Sequence, residues 1–171
     1  MGCFNSTAQL PALAFLGLCD SGKSTIIAYI EHQVFRLTHP TLGVEISTAI
    51  FQDQRVEIWD VSGRDCSYWS KYYNSASGIV FVVDSSNEKD FNSFIDHAKQ
   101  TLSNPIVQKL PVLIYVNRSQ PDTLEKFKEE LTEKLELKQS GITYQLMPCD
   151  PKTGKGVNEG FDWIMKKALL N

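Results

Sequence analysis

The chain has 171 residues, 42% of them hydrophobic and 22% charged, an ordinary globular balance that excludes disorder as its main state and suits one domain better than two. Lys and Arg number 17 against 20 Asp and Glu, a net charge of -3, so the cationic surplus that a nucleic-acid binder or a basic membrane sensor needs is missing.

The chain opens Met1-Gly2-Cys3-Phe4-Asn5-Ser6, an N-myristoylation pattern with Gly2 exposed once Met is removed and Ser6 at the favoured position. One myristoyl chain binds a membrane only marginally, at K on the order of 10⁴ per molar, so a second signal is required. The first Lys or Arg is Lys23, which excludes a polybasic patch in the leader and a signal peptide with a basic start. Cys3 is left as the palmitoylation candidate, its alternative being an unmodified thiol. Residues 1–10 are expected to form a short lipid-modified leader and residues 11–171 one folded domain. The apolar run over residues 10–19 is about half of the roughly 20 residues that a membrane span requires, and Pro11 interrupts it. Cys3, Cys19, Cys66 and Cys149 contain no C-x-x-C pair and have no His at zinc-ligand spacing, which reads as reduced thiols in the cytosol.

Short apolar runs predict strands over residues 12–18, 44–51, 56–60, 78–84, 112–117 and 143–147, several of them apolar throughout as buried parallel strands are. Only Gln52, Asp53 and Gln54 separate the second and third, too little chain for a crossover, so these two form an antiparallel hairpin at the edge of a parallel sheet. Helical patterns fill the remaining gaps. Asp122 reads as an N-cap with Glu125 completing a capping box, followed by Leu124, Phe127, Leu131 and Leu135 on one face. The last helix is entered from Thr153-Gly154-Lys155-Gly156 and places Phe161, Ile164 and Ala168 on one stripe. The alternation predicts an α/β doubly wound, mostly parallel six-stranded sheet with helices on both faces, whose ligands sit at the carboxyl ends of the strands.

Between the first strand and the first helix runs Gly17-Leu18-Cys19-Asp20-Ser21-Gly22-Lys23-Ser24-Thr25, which contains a complete G-x-x-x-x-G-K-S phosphate loop. Its glycines let backbone N–H groups face a phosphate, the helix N-terminus adds positive potential, Lys23 reaches the terminal phosphates and Ser24 is a magnesium ligand. Thr41 precedes the second strand and can offer its hydroxyl to magnesium. Asp60 ends the third, where it can hold magnesium through water, and the Gly63 N–H can meet a γ-phosphate. In this order after a phosphate loop, these segments read as the two switches of a nucleotide-operated protein. A nucleoside kinase shares the loop but needs an acceptor pocket and an Arg-rich lid, and no Arg cluster follows in the second half of the chain.

At this point the chain resembles the Arf and Arf-like branch of the Ras-type small GTPases over nearly its whole length. The likeness is carried by the phosphate loop, Pro40-Thr41-Leu42-Gly43, Trp59-Asp60-Val61, Trp69, Tyr72-Tyr73, Val82-Val83-Asp84-Ser85, Asn117 and Glu159-Gly160-Phe161-Asp162-Trp163. The resemblance implies a P-loop NTPase of Ras-like fold that switches between GTP and GDP with Mg²⁺, cytoplasmic and peripheral on a membrane. It also implies an edge hairpin that moves, and a patch of Val44, Trp59 and Tyr72 that meets effectors or else is ordinary edge packing. Exchange and activating factors are implied without being named. Residues 1–10 are too short for both the amphipathic helix of Arf and a linker, so dual acylation would favour stable membrane residence.

Three positions depart from the family pattern. Arg64 stands where the family has a water-orienting Gln. A guanidinium has five donors and no acceptor, so slow or absent intrinsic hydrolysis is expected, although Arg64 can still neutralise transition-state charge. The base-reading N-K-x-D appears as Asn117-Arg118-Ser119-Gln120, in which Arg118 can still cover a base face while Gln120 lacks the charge of Asp. Asp150-Pro151-Lys152 replaces the S-A-K-like loop, and Pro151 has no N–H to give guanine O6. Two readings stand: a GTP switch with weakened specificity, and a pseudo-GTPase serving as a membrane-bound interaction module.

Overall fold

Strand β1 (Ala12–Leu16) is buried along its whole length, and its alternate side chains divide between two cores. Ala12, Ala14 and Leu16 enter one cluster, Leu13 and Phe15 the other. The same alternation repeats in β4 (Gly78–Asp84) and β5 (Val112–Asn117), so the sheet needs a helical cover on each face. The computed structural model describes residues 10–170; Gly2 and Cys3, the two lipidation candidates, lie outside the described residues.

Helices α1 (Lys23–His32) and α4 (Val157–Ala168) cover one face through Ile26, Ile27, Ile30, Phe161 and Ile164. The other face is covered by α2 (Glu88–Leu102), by α3 (Pro121–Lys134) through Leu131, and by the 3₁₀ segment Cys66–Ser75 through Trp69 and Tyr73. Six strands in the order β2-β3-β1-β4-β5-β6 make one sheet, parallel except where β2 (Val44–Phe51) pairs with β3 (Gln54–Val61). The expected Ras-like, doubly wound fold is present.

The differences from the sequence reading have local causes. Strand β3 begins at Gln54 because the hairpin needs only Gln52 and Asp53, whose φ values of 47° and 65° form a primed two-residue turn that matches strand twist. Strand β1 stops at Leu16, where Gly17 turns the chain into the phosphate loop. Strand β6 (Tyr144–Cys149) starts later than expected and runs on through Pro148, which an edge strand tolerates because its outer N–H needs no partner. Asp122 is not the N-cap of α3. Pro121 is its first residue, since its ring presets helical φ, and Gln120 before it is extended at φ -93° and ψ 138° as a residue preceding proline prefers. Glu125 accordingly pairs with Lys128 at 3.0 Å instead of closing a capping box.

Candidate nucleotide site

The polar residues singled out from the sequence gather at the carboxyl ends of β1, β3, β4, β5 and β6. After β1 the chain curls through Asp20 at φ 58° and Gly22 at φ 96°, and Gly22 caps α1. A Cβ at Gly22 would fall 2.3 Å from Asn117 Nδ2, so only glycine lets the loop reach the end of β5. There the buried Asn117 donates from Nδ2 to Ser21 O at 2.9 Å, tying the two loops together.

Lys23 is 6% exposed and donates to Gly17 O at 2.9 Å and Leu18 O at 3.0 Å. Burial draws its ammonium below the ordinary lysine pKa, with the Asp60 carboxylate the largest opposing influence. Ser24, Thr41 and Asp60 meet beside it. Thr41 Oγ1 donates to Asp60 Oδ2 at 2.9 Å, Ser24 Oγ donates to the same oxygen, and the two hydroxyls lie 3.2 Å apart. Asp60 Oδ1 is buried without a hydrogen-bond partner, a costly state for a carboxylate oxygen that a cation would relieve. One carboxylate and two hydroxyls are hard oxygen donors that suit magnesium, which takes one or two carboxylates together with phosphates rather than a dedicated cage. Among the described residues no cluster of His, Cys, Asp and Glu forms such a cage. Ser21 Oγ, on the phosphate loop, is likewise buried and unpartnered.

The segment after β3 lies directly on this loop. A Cβ on Gly63 would sit 2.4 Å from Gly17 O and 2.5 Å from Cys19 N, so backbone meets backbone only because Gly63 has no side chain. Arg64 is exposed and shares with Cys19, Lys23, Ser24, Thr25, Thr41 and Gly63 the lining of a cavity of about 290 Å³. Leu18 packs against the core on the α2 side of the sheet.

Arg118 joins this cavity to a second of about 520 Å³ that also takes in Gln120, Asp150 and Lys152. Its Nη1 donates to Asp20 O at 2.9 Å and to Asp84 Oδ2. The sequence reading gives Asp84 no role; its place at the end of β4, one strand from the phosphate loop, was the available signal. Gln120 is exposed and makes no side-chain cap on α3. The loop after β6 folds back on itself. Asp150 Oδ1 accepts from Lys152 N at 2.9 Å, Asp150 Oδ2 accepts from Thr153 Oγ1 at 3.1 Å, and Pro151 is buried.

The patch of Val44, Trp59 and Tyr72 is largely inward. Trp59 is 8% exposed, its ring packs against Tyr72 at 5.9 Å between centroids with the planes tilted by 53°, and its Nε1 donates to Glu57 Oε2. The exposed apolar side chains on that part of β2 are Ile46 and Ile50, which the alternating pattern of the strand could have revealed.

The profile of the ADP-ribosylation factor family matches residues 4–168. ADP-ribosylation factor-like protein 2 of Dictyostelium discoideum is 29% identical over 160 residues, spanning 92% of this chain and 86% of that protein. ADP-ribosylation factor-like protein 3 of Caenorhabditis elegans is 31% identical over 156 residues, spanning 89% of this chain and 84% of that protein. The fold is similar to that of the Arl6 small GTPase of Trypanosoma brucei with bound nucleotide analogue GppNp, at a TM-score of 0.79 and 22% identity over 94% of this chain and 98% of that one. Phosphate-loop sequence, sheet order and family profile converge: the chain belongs to the ADP-ribosylation factor family of small GTPases.

Proposed function

We propose that the protein is a membrane-associated nucleotide switch in intracellular membrane or vesicle trafficking, binding a nucleoside triphosphate with Mg²⁺ and hydrolysing it slowly. The family's nucleotides are GTP and GDP. The observation that carries this reading is the grouping of Lys23, Ser24, Thr41 and Asp60 around an unpartnered carboxylate oxygen at the mouth of the phosphate loop. Gly17 to Thr25 would wrap the phosphates, and Ser24, Thr41 and, through water, Asp60 would hold the magnesium, which shields phosphate charge when bound. Lys23 would exchange its loop carbonyls for phosphate oxygens, and Gly63 would offer its N–H to the terminal phosphate.

Arg64 has no acceptor for a water proton, so this chain orients the attacking water poorly. In a single-turnover assay the wild-type rate is expected to be low and Arg64→Gln about 100-fold faster, the lower end of what a positioned proton acceptor contributes. An unchanged rate in that variant would remove the proposed cause of slow hydrolysis.

Residues 1–10 would form the anchor, with a myristoyl group on Gly2 and a palmitoyl group on Cys3 placing residues 11–171 on the cytosolic face of a membrane. Gly2→Ala and Cys3→Ser are each expected to move the protein from the membrane pellet to the soluble fraction; retention of both in the pellet contradicts this anchor. Effectors would meet the hairpin where Val44, Trp59 and Tyr72 support the exposed Ile46. A second reading, a pseudo-GTPase acting as a membrane-anchored interaction module, draws support from the base-side loop, where Asp150 occupies the Lys152 N–H and Pro151 has none.

A further inference from the structure

Two thiols stand where the phosphate loop meets the segment after β3. Cys19, the third residue of that loop, is exposed, while Cys66 opens the 3₁₀ segment Cys66–Ser75 and is half-buried. Gly63 lies against both. A Cβ on it would fall 2.5 Å from Cys19 N, and its carbonyl accepts from Cys66 Sγ at 3.9 Å. Both cysteines line a cavity of about 660 Å³ between the phosphate loop, the segment after β3 and α2, whose walls also include Arg64, Ser93 and His97. A charge on Cys19 acts on Cys66, and both act on Lys23, so the three groups share one neighbourhood.

The two settings are unequal. Cys19 also lines the phosphate cavity, beside Lys23, Arg64 and Arg118, a cationic and exposed setting of the kind in which thiols react. Burial pushes the Cys66 thiol up, with the Lys23 ammonium the largest opposing influence, so Cys66 is the slower of the two to meet an oxidant in solution. Cys149, the third cysteine among the described residues, is buried and its thiol is raised further by that burial. Two cysteines thus form a pair of one accessible and one sheltered sulfur, and the third is shut away from both.

From this placement we propose that Cys19 and Cys66 are a peroxide-responsive thiol pair, whose disulfide fastens the segment after β3 to the phosphate loop and slows nucleotide passage. The oxidant is hydrogen peroxide. The Cys19 thiolate attacks one peroxide oxygen; an S–O bond forms, the O–O bond breaks, and the departing hydroxide takes up the thiol proton as water. The Cys66 thiolate then attacks the Cys19 sulfur; the S–S bond forms, the S–O bond breaks, and hydroxide leaves with the Cys66 proton as a second water. Two thiols and one peroxide give one disulfide and two waters. A bridge needs the two Cα atoms within about 7 Å, and the exposed stretch of Arg64, Asp65 and Ser67 lets Cys66 close on a loop that its segment already touches at Gly63. Gly63 and Arg64 form one wall of the phosphate cavity, so the bridge holds that wall in place. The effect on passage rests on the reading of this cavity as a nucleotide site; the bridge itself does not.

The test treats the full, reduced chain with a small excess of hydrogen peroxide, alkylates the remaining thiols and maps each cysteine by peptide mass. A linked pair joining the Cys19 and Cys66 peptides is expected, lighter by two hydrogens and reopened by dithiothreitol, with Cys149 alkylated only after unfolding. Release of a ribose-labelled fluorescent GDP is expected to be about tenfold slower in the oxidised protein, a fraction of the constraint a cross-link can impose, and to recover on reduction. Cys66→Ser is expected to release it at the reduced wild-type rate with or without peroxide, its Cys19 passing on to sulfenic and sulfinic acids. Absence of the 19–66 pair, Cys19 bridged to Cys3, or overoxidised Cys19 in the wild type overturns the proposal. So does peroxide slowing release in Cys66→Ser, or a bridge that leaves wild-type release unchanged. Failure of the labelled GDP to bind removes the nucleotide reading and the effect on passage with it, whereas the bridge is read independently by mass.

Discussion

The two sides of the cleft, the one proposed for phosphates at the ends of β1 and β3 and the one proposed for a base at the ends of β5 and β6, are separated by β4 and treat their polar atoms in opposite ways. On the phosphate side Asp60 Oδ1 and Ser21 Oγ are buried with no partner, and burial lowers the pKa of the Lys23 ammonium. On the base side the loop after β6 uses its own carboxylate to satisfy its own donors. A buried polar atom left unpaired costs about 1–3 kcal/mol, so it persists where something else repays it, whereas a loop that closes its own hydrogen bonds has no such deficit. The contrast places the demand for a ligand at the phosphates and only a mild preference at the base.

Substitutions on the two sides should therefore differ in size. Lys23→Ala removes a charge-assisted contact to phosphate and is expected to weaken triphosphate binding by about 100-fold in a fluorescence titration, the upper part of what a charged hydrogen bond is worth. A loss below about threefold would erase the contrast. The depressed pKa of Lys23 gives a second, smaller effect. A lysine whose folded pKa lies below 10.5 gives up its proton earlier than usual as pH rises, so affinity for the triphosphate should be flat near neutrality and fall several-fold before pH 10.5 is reached. Lys23→Arg, charged throughout, should flatten the pH profile even if it binds more weakly. The smallest effect is expected at Gln120→Ala, about threefold or less, because an exposed neutral amide contributes little net binding energy. If Gln120→Ala matched Lys23→Ala, the base side would be as demanding as the phosphate side.

The sequence was most readable where one physical rule acts alone. Strands β2, β4 and β5 run over their expected residues because uninterrupted or alternating apolar runs admit little else. The phosphate loop was legible because its glycines, lysine and serine carry one mechanism at fixed spacing. Reading failed where two rules compete. Asp122 had the composition of an N-cap, but Pro121 beside it starts the helix first. The expected strand over 143–147 stopped short of Pro148, and only the place of β6 at the sheet edge makes that proline harmless. The missing N–H of Pro151 could be read directly. The capture of the Lys152 N–H by Asp150 could not, since an Asp in a turn can bond its own loop or leave it free, and only the folded backbone decides.

The bond from Asn117 to Ser21 spans 96 positions of sequence, and that from Arg118 to Asp20 spans 98, against 36 for Ser24 and Asp60. Contacts between distant segments close late in folding, because the loop-closure entropy must be met before they form. The hydroxyl and carboxylate cluster can thus come together from the first third of the chain, while the clasp that steadies the phosphate loop waits for β5. A triphosphate gripped by the clasped loop would for that reason stabilise the whole fold rather than its amino-terminal portion.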